Sequence, residues 1–371
     1  MKKLLSLAVA SSLVCGVAFA KEIKVGAIMP MSGPLAAYGQ VTNLGLELAN
    51  KMQPKLANGD TIKIVLLDNK GDKVETANAT TRLISSDGVV AILGALTSTN
   101  TAQAIAIADK KKVPVIASVA TNDKLTARRD FANRVCFTDS FQGEVVANYA
   151  KEQDYKTAVT VVDQAQVYSL GLSKAFQKAF KDNGGKILKK IMVTSGDKDF
   201  KAVVSQIKQL NPDFLFLPLY HPEASMIARQ SKQLGLDKPM FSGDGVANQT
   251  FIDLGGKAVE GYMFTDFFDS TNPPSKTSAD FVAFHEKETG NKEMNSFTAL
   301  GADTYNVLVA AMNRCDDPTN SVCVNNEIKK TKNFDGVSGL ITIDKSGNAS
   351  RSAVIKEIKD GKAGYKATVN P

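Results

Sequence analysis

Residues Ile92-Leu93-Gly94-Ala95-Leu96-Thr97-Ser98-Thr99-Asn100 (ILGALTSTN) begin as a buried strand, pass through a glycine and end in a cluster of hydroxyls. A strand that runs through Gly into Ser and Thr and then opens a helix is where an α/β sheet presents N–H groups and side-chain oxygens to a ligand. A phosphate, a reacting carbonyl or a carboxylate would suit such a place. The rest of the chain must choose among them.

Outward from this stretch, short apolar runs alternate with longer amphipathic ones. The runs predict strands at Ile23–Met29, Thr61–Leu67, Val89–Leu93 and Val113–Ser118, then at Ala158–Val162, Ile187–Val193, Phe214–Leu219, Gly261–Phe264, Leu340–Ile343 and Val354–Ile358. Helical spacing falls between them, at Ala36–Met52, Val74–Ser86, Thr101–Lys110, Gln142–Glu152, Ser169–Asn183, Phe200–Leu210 and Pro222–Leu234. It recurs at Ser278–Thr289 and Phe297–Asn313. Asn183-Gly184-Gly185 and Asn211-Pro212-Asp213 stop helices, and Asn272-Pro273-Pro274 marks a bend. Strand and helix in alternation imply parallel sheets covered on both faces. With 371 residues, the chain exceeds what one core organises, so two similar α/β lobes with a cleft between them are expected.

Met1-Lys2-Lys3 precedes an apolar run from Leu4 to Val17 and then Ala18-Phe19-Ala20. This reads as a signal peptide over residues 1–20 and an exported, periplasmic protein. A lipid anchor through Cys15 is disfavoured, because Ser12-Leu13-Val14 lacks a small residue before the cysteine. No later stretch reaches the roughly 20 apolar residues of a membrane span. The formal charge of +7 falls to +5 once Lys2 and Lys3 are set aside, and acids and bases are interleaved, which argues against a nucleic-acid partner. Cys315 and Cys323, separated by the turn-rich DDPTNSV, are a candidate disulfide; Cys136 is then an unpaired, buried residue. With no paired C-x-x-C spacing and only His221 and His285, no metal site is expected.

The chemistries can be tested in turn. Neither G-x-x-x-x-G-K-[ST] nor G-x-G-x-x-G occurs, and Gly243-Asp244-Gly245 places an acid where a phosphate would lie. There is no G-x-S-x-G elbow, so no catalytic residue is assigned and no cofactor is implied. What remains is a set of strand-end loops of complementary polarity: Thr97-Ser98-Thr99, Val119-Ala120-Thr121, Tyr220-His221-Pro222-Glu223 and Asp244-Gly245. Hydroxyls beside helix N-termini suit a carboxylate, and a lone Asp suits an ammonium. Together they describe a zwitterion, an α-amino acid. Individually, Ser98 and Thr121 are also suited to capping helices and Asp244 to fixing a turn.

The segments IKVGAIMPMSGPLAAYG (Ile23–Gly39), YHPE (Tyr220–Glu223) and GDGVAN (Gly243–Asn248) resemble the periplasmic leucine/isoleucine/valine-binding proteins of ABC importers, and the resemblance runs through nearly the whole chain after residue 20. It implies a type I periplasmic-binding fold: two Rossmann-like lobes joined by three crossovers, with hinge closure on the ligand. The crossovers are expected near Thr138-Asp139, Phe267-Phe268 and Ile341-Thr342. That gives one lobe of residues 21–138 plus 268–341 and another of 139–267 plus 342–371. Carried over by position, Ser98, with Thr121 and the main chain of Val119, meets the ligand carboxylate, and Asp244 meets the ammonium. Tyr38, Tyr168 and Tyr220 close over the ligand, with Tyr38 and Leu96 nearest its side chain.

The sequence also departs from the family pattern. Asp244 stands where the resemblance leads one to expect Glu, a shorter arm that calls for a water or a tighter closure. Val119 replaces a smaller Ala, and Asp163–Gly171 is one residue longer than the common form, with Ser169 in place of Gly. The first-lobe disulfide of the best-known members is missing, Asn69–Asp72 and Thr97 occupying its neighbourhood. The resemblance implies a monomer that delivers an amino acid to a separate membrane permease. A sensory protein of the same fold, or a carrier of amides, is the alternative.

Overall fold

The structure is a computed structural model and describes residues 20–371. The leader expected over residues 1–20 lies outside the described residues, Ala20 excepted. The first sheet is built from β1 (Glu22–Met29), α1 (Ala36–Met52), β2 (Thr61–Asp68), α2 (Lys73–Arg82), β3 (Ile92–Gly94), α3 (Ser98–Ala108), β4 (Val115–Ala117) and β5 (Ala132–Arg134). Its strands run parallel in the order β2-β1-β3-β4-β5. The inner strands β3 (ILG) and β4 (VIA) are continuous apolar runs because helices cover both faces and no alternation is needed.

The chain then crosses to a second lobe, made by α4 (Asp139–Glu152), β6 (Thr157–Asp163), α5 (Val167–Asp182), β7 (Lys186–Val193), α6 (Lys201–Leu210), β8 (Phe214–Phe216), α7 (His221–Gln233), β9 (Met240–Ser242), α8 (Gln249–Gly255) and β10 (Met263–Asp266). It returns through α9 (Lys276–Thr289), α10 (Ser296–Met312) and α11 (Ser321–Ile328). The small strands β11 (Phe334–Gly336), β12 (Gly339–Ile343) and β13 (Ala349–Ser350) follow, and β14 (Ala353–Lys359) and β15 (Lys362–Val369) end the second lobe. The second sheet has the order β15-β14-β10-β9-β8-β6-β7, with β14 and β15 antiparallel to their neighbours. The expected parallel sheets are present, with this antiparallel edge added to the second, since a hairpin needs no helical crossover.

The third crossing also lies later than Ile341-Thr342. β12 pairs with β11 and β13, and the Gly347 carbonyl accepts from the Arg134 N–H at the edge of the first sheet. These bonds keep residues 342–350 with the first lobe, so the chain crosses at Arg351-Ser352. Arg351 is buried there, and its guanidinium donates to Ser338 Oγ at 2.7 Å, to the Ser338 carbonyl at 2.9 Å and to the Phe267 carbonyl at 2.8 Å. It thereby ties the second and third crossings together.

In both lobes the strand order reverses beside a central strand, between β1 and β3 and between β6 and β8. Ligands of open α/β sheets bind at the carboxyl ends of strands at such points. The two lobes also touch at their rims: Thr99 Oγ1 donates to Gln166 Oε1 and accepts from the Val167 N–H, both at 3.0 Å, and Asn122 Nδ2 donates to the Val167 carbonyl at 3.1 Å. Cys315 and Cys323 are disulfide-bonded, with Cα atoms 6.0 Å apart. Cys136 is free and buried, its thiol donating to the Ala120 carbonyl. No helix among the described residues is long and apolar enough to cross a membrane.

Candidate functional site

The ILGALTSTN stretch, Ile92–Asn100, has an unusual backbone. Gly94 takes φ +120°, where a Cβ would lie 2.3 Å from the Ile28 carbonyl oxygen, and Leu96 is left-handed at φ +71°. A leucine there costs roughly 1–2 kcal/mol, and such strain concentrates at ligand sites. The turn drives the chain straight into α3, whose cap is Thr97; its hydroxyl accepts from the Asn100 N–H. Ser98 is the first helical residue. Its Oγ accepts from the Asn122 N–H at 3.3 Å, which leaves its hydrogen free to donate.

Around this helix start lies a small, nearly filled cavity between the lobes. The first lobe contributes Tyr38, Leu96, Thr97, Ser98, Val119 and Phe297, and the second Tyr168, Tyr220, Asp244 and Gly245. Each comes from just beyond a strand end or from the first turn of a helix. Its lining combines aromatic and aliphatic side chains with a few polar groups.

Aromatic rings make the walls. Tyr168 stacks on Tyr220 at 5.2 Å between centroids, and Tyr38 stacks on Phe297 at 5.5 Å. Tyr38 reaches this position because α1 sits tightly on β1: a Cβ on Gly39 would be 2.1 Å from the Pro30 carbonyl oxygen. Its hydroxyl spans the cleft, donating to the Gly245 carbonyl at 2.5 Å and accepting from the His221 N–H at 3.0 Å. The His221 ring packs on Tyr38, and burial pushes its pKa down to about 4, so the imidazole is neutral near pH 7.

The acid is flanked by glycines for a steric reason. A Cβ on Gly243 would meet Gln142 Oε1 at 2.4 Å and Tyr168 Oη at 2.5 Å, and one on Gly245 would meet the Leu219 carbonyl oxygen at 2.5 Å. Asp244 is thus enclosed by groups that only glycine neighbours admit. Gln142 Nε2 donates to its Oδ1 at 2.7 Å. Burial pushes the Asp244 pKa up to about 7, the Gln142 hydrogen bond working against that rise and the nearby Asp266 adding to it.

Eight of these ten lining residues lie in the strand-end loops or among the tyrosines singled out in the sequence, and a ninth is Leu96, expected near the ligand side chain. Thr121 is the exception among the expected site residues: it is fully buried and adjoins the cavity without lining it. Phe297 was legible only as the start of a helix. Gln142 gave no signal, because a polar residue on an amphipathic helix looks solvated until the Asp244 loop of its own lobe packs over it.

Residues 22–363 match the family model of a periplasmic binding protein. The Leu/Ile/Val-binding protein BraC3 of Rhizobium johnstonii is 30% identical over 352 residues, covering 91% of this chain and 93% of that protein. Among solved structures, the leucine binding protein LivK of Thermotoga maritima is 36% identical with a TM-score of 0.92, over 94% of this chain and 99% of that one. The branched-chain amino acid transporter substrate-binding protein LivJ of Streptococcus pneumoniae, in complex with isoleucine, is 31% identical with a TM-score of 0.88, over 95% and 100%.

Proposed function

The chain belongs to the periplasmic binding protein family, and from that premise we propose that it captures a branched aliphatic α-amino acid between its lobes and delivers it to the permease of an ABC importer. The observation that carries this reading is the closed cavity itself. It has hydroxyls at a helix N-terminus, one buried carboxylate and aromatic and aliphatic walls. Ser98 and the first-turn N–H groups of α3 hold the ligand carboxylate. Asp244 takes the ammonium, while Leu96, Val119, Phe297 and the three tyrosines surround the side chain.

Closure is coupled to the ligand because a buried charge without its partner is costly. Only a molecule offering both ends lets the second lobe bring Asp244 against the first-lobe hydroxyls. The permease then recognises the closed form, which the ligand favours by its differential affinity for the two states. The protein works as an exported monomer and a carrier, not an enzyme. In support, Ser98 has a backbone N–H rather than a base beside its hydroxyl, and His221 contacts Tyr38.

The test is calorimetric titration of protein unfolded and refolded to strip carried-over ligand. The panel is leucine, isoleucine, valine, alanine, glutamate, phenylalanine and a short-chain amide. Tight binding of the branched aliphatic acids, with the others weaker, is the expected result. Binding of the amide with no response to any amino acid overturns the reading of Asp244.

A further inference from the structure

Residues 170–192 hold six lysines, Lys174, Lys178, Lys181, Lys186, Lys189 and Lys190, against the single acid Asp182. That excess equals the whole +5 of residues 21–371, so the rest of the chain after residue 20 is neutral in sum. In the sequence these lysines are spaced by apolar residues and make no long basic run. The fold gathers them on one side of the second lobe. Leu170, Lys174, Lys178 and Lys181 recur at helical spacing on α5 and are all exposed, so they form one stripe along the helix. Lys190 of β7 faces the same stripe, and together they line a shallow groove between helix and strand. Lys186 and Lys189 are exposed along β7.

Among the described residues, Asp182 is the one acid lining this groove, and it already pairs with Lys178 at 2.7 Å. Edge protection explains part of the pattern: β7 ends its sheet, and lysines on an open edge discourage pairing with a further strand. It does not explain the stripe on α5, because a helix has no open edge. A second feature accompanies the charge. α5 starts beside Val167, which meets Thr99 and Asn122 across the cleft, and β7 ends opposite Asp163, so both present these ends to the cleft rim. There Leu170 and Met192 are 39% and 40% exposed.

We propose that this side of the second lobe is a docking surface for an anionic lipid bilayer, the lysines meeting phosphate-bearing headgroups and Leu170 and Met192 entering the interface. A lysine is a compact charge on a long flexible stem, suited to a diffuse anionic surface. Recognition of a defined carboxylate or phosphate on a peptide or nucleic acid favours fixed, bidentate arginines, and residues 170–192 contain no arginine. Basic side chains flanked by exposed apolar ones are the composition that binds at a bilayer interface. Because the remaining charge sums to zero, the attraction acts on one side and orients the molecule. Its use, holding the carrier beside the bilayer that contains its permease, rests on the reading proposed above; the surface itself does not.

The experiment is co-sedimentation of residues 21–371, without amino acid, with sucrose-loaded vesicles. One set contains phosphatidylglycerol and phosphatidylcholine in equal parts, the other phosphatidylcholine alone. The parent is compared with the groove triple K174E/K178E/K190E and with K55E/K73E/K110E, exposed lysines of the first lobe whose reversal changes the net charge equally. The parent should bind the anionic vesicles at least tenfold more tightly than the zwitterionic ones, and lose that binding as salt rises. The groove triple should lose at least tenfold, while the first-lobe triple stays within about threefold of the parent. A cooperative melt like the parent's shows that a variant folds; if the groove triple does not, K174E and K181E singly carry the test, each losing about threefold to fivefold.

Equal binding to the two lipids, or equal loss in the two triples, overturns the proposal. So does displacement of the parent from the vesicles by polyglutamate or a single-stranded oligonucleotide at matched charge, which would assign the surface to an acidic chain. Failure of the parent to bind any amino acid in the separate titration overturns the carrier reading and leaves the vesicle result standing.

Discussion

At the residue scale, function is concentrated in two groups whose energetics differ. The Ser98 hydroxyl is a neutral donor to a charged oxygen, an interaction of about 1.5–3 kcal/mol. Ser98→Ala is expected to weaken leucine binding ten- to a hundredfold by calorimetry. Asp244→Asn removes the charge opposite a buried ammonium, at about 3–5 kcal/mol, and should weaken binding several hundredfold. The same residue sets a pH dependence. Its pKa in the folded protein, about 7, lies above the ordinary carboxylate value, so the native state holds a proton that the unfolded chain has lost between pH 4 and 7. Its contribution to stability is therefore present at low pH and lost as pH rises through 7. Ligand-free Asp244→Asn should melt at a higher temperature than the parent at pH 8, and the gain should shrink at pH 5. The parent's affinity should fall as pH drops below 7, where the ammonium must expel a proton. These side chains were legible in the sequence because each sits in a polar loop just after an apolar strand. Gln142 was not, because its role depends on packing against Asp244, which is 102 residues away in sequence.

At the element scale, the site depends on one close helix crossing. A Cβ on Gly45 of α1 would lie 2.0 Å from the Thr298 carbonyl oxygen, and one on Gly301 of α10 would lie 2.1 Å from that of Thr42. This contact holds Tyr38, about two turns toward the N-terminus of α1, and Phe297, about one turn toward that of α10, in their stacked geometry. Gly301→Ala forces the helices apart. Overpacking of this kind costs about 1–3 kcal/mol, and here the clash is with rigid backbone. A lower urea midpoint together with weaker leucine binding is expected, whereas a change in stability alone would separate the crossing from the site. The Cys315–Cys323 bridge closes a loop of separation 8, worth about 2–3 kcal/mol in the chain-entropy model. Reduction should lower the urea midpoint accordingly and leave ligand affinity unchanged, since the loop lies away from the cavity. The long helices and most buried strands could be read from periodicity to within a turn, while the three-residue strands β5 and β9 were too short to show. β15 and α11 could not: β15 is largely exposed on an edge and mixes lysines with small residues, and α11 is short and follows a turn-rich loop. The third crossing was displaced for a related reason, because β12 and β13 are held by pairing rather than by any pattern of their own.

At the scale of the whole molecule, closure is a matter of a few bonds across the cleft. Tyr38 supplies two of them, to Gly245 and His221, and Asn295 Nδ2 adds a third to the Ala247 carbonyl at 3.0 Å. Tyr38→Phe keeps the ring stack and deletes the latch, so it should reduce affinity about threefold to tenfold, as expected for one or two neutral hydrogen bonds. Solution scattering should show a larger radius of gyration at the same subsaturating leucine concentration, and an unchanged curve would locate closure elsewhere. The crossings about which the lobes turn enclose Cys136, whose thiol burial pushes up to about 12. It is the free thiol of the described residues, the other two being bridged. That makes it an internal stopwatch: a maleimide or disulfide reagent can reach it only while the surrounding crossings part. Where such parting also destroys the cleft, ligand must slow the labelling by the factor one plus its concentration over Kd. The molecule thus carries a native reporter from which a binding constant can be read by counting modified sulfur atoms over time.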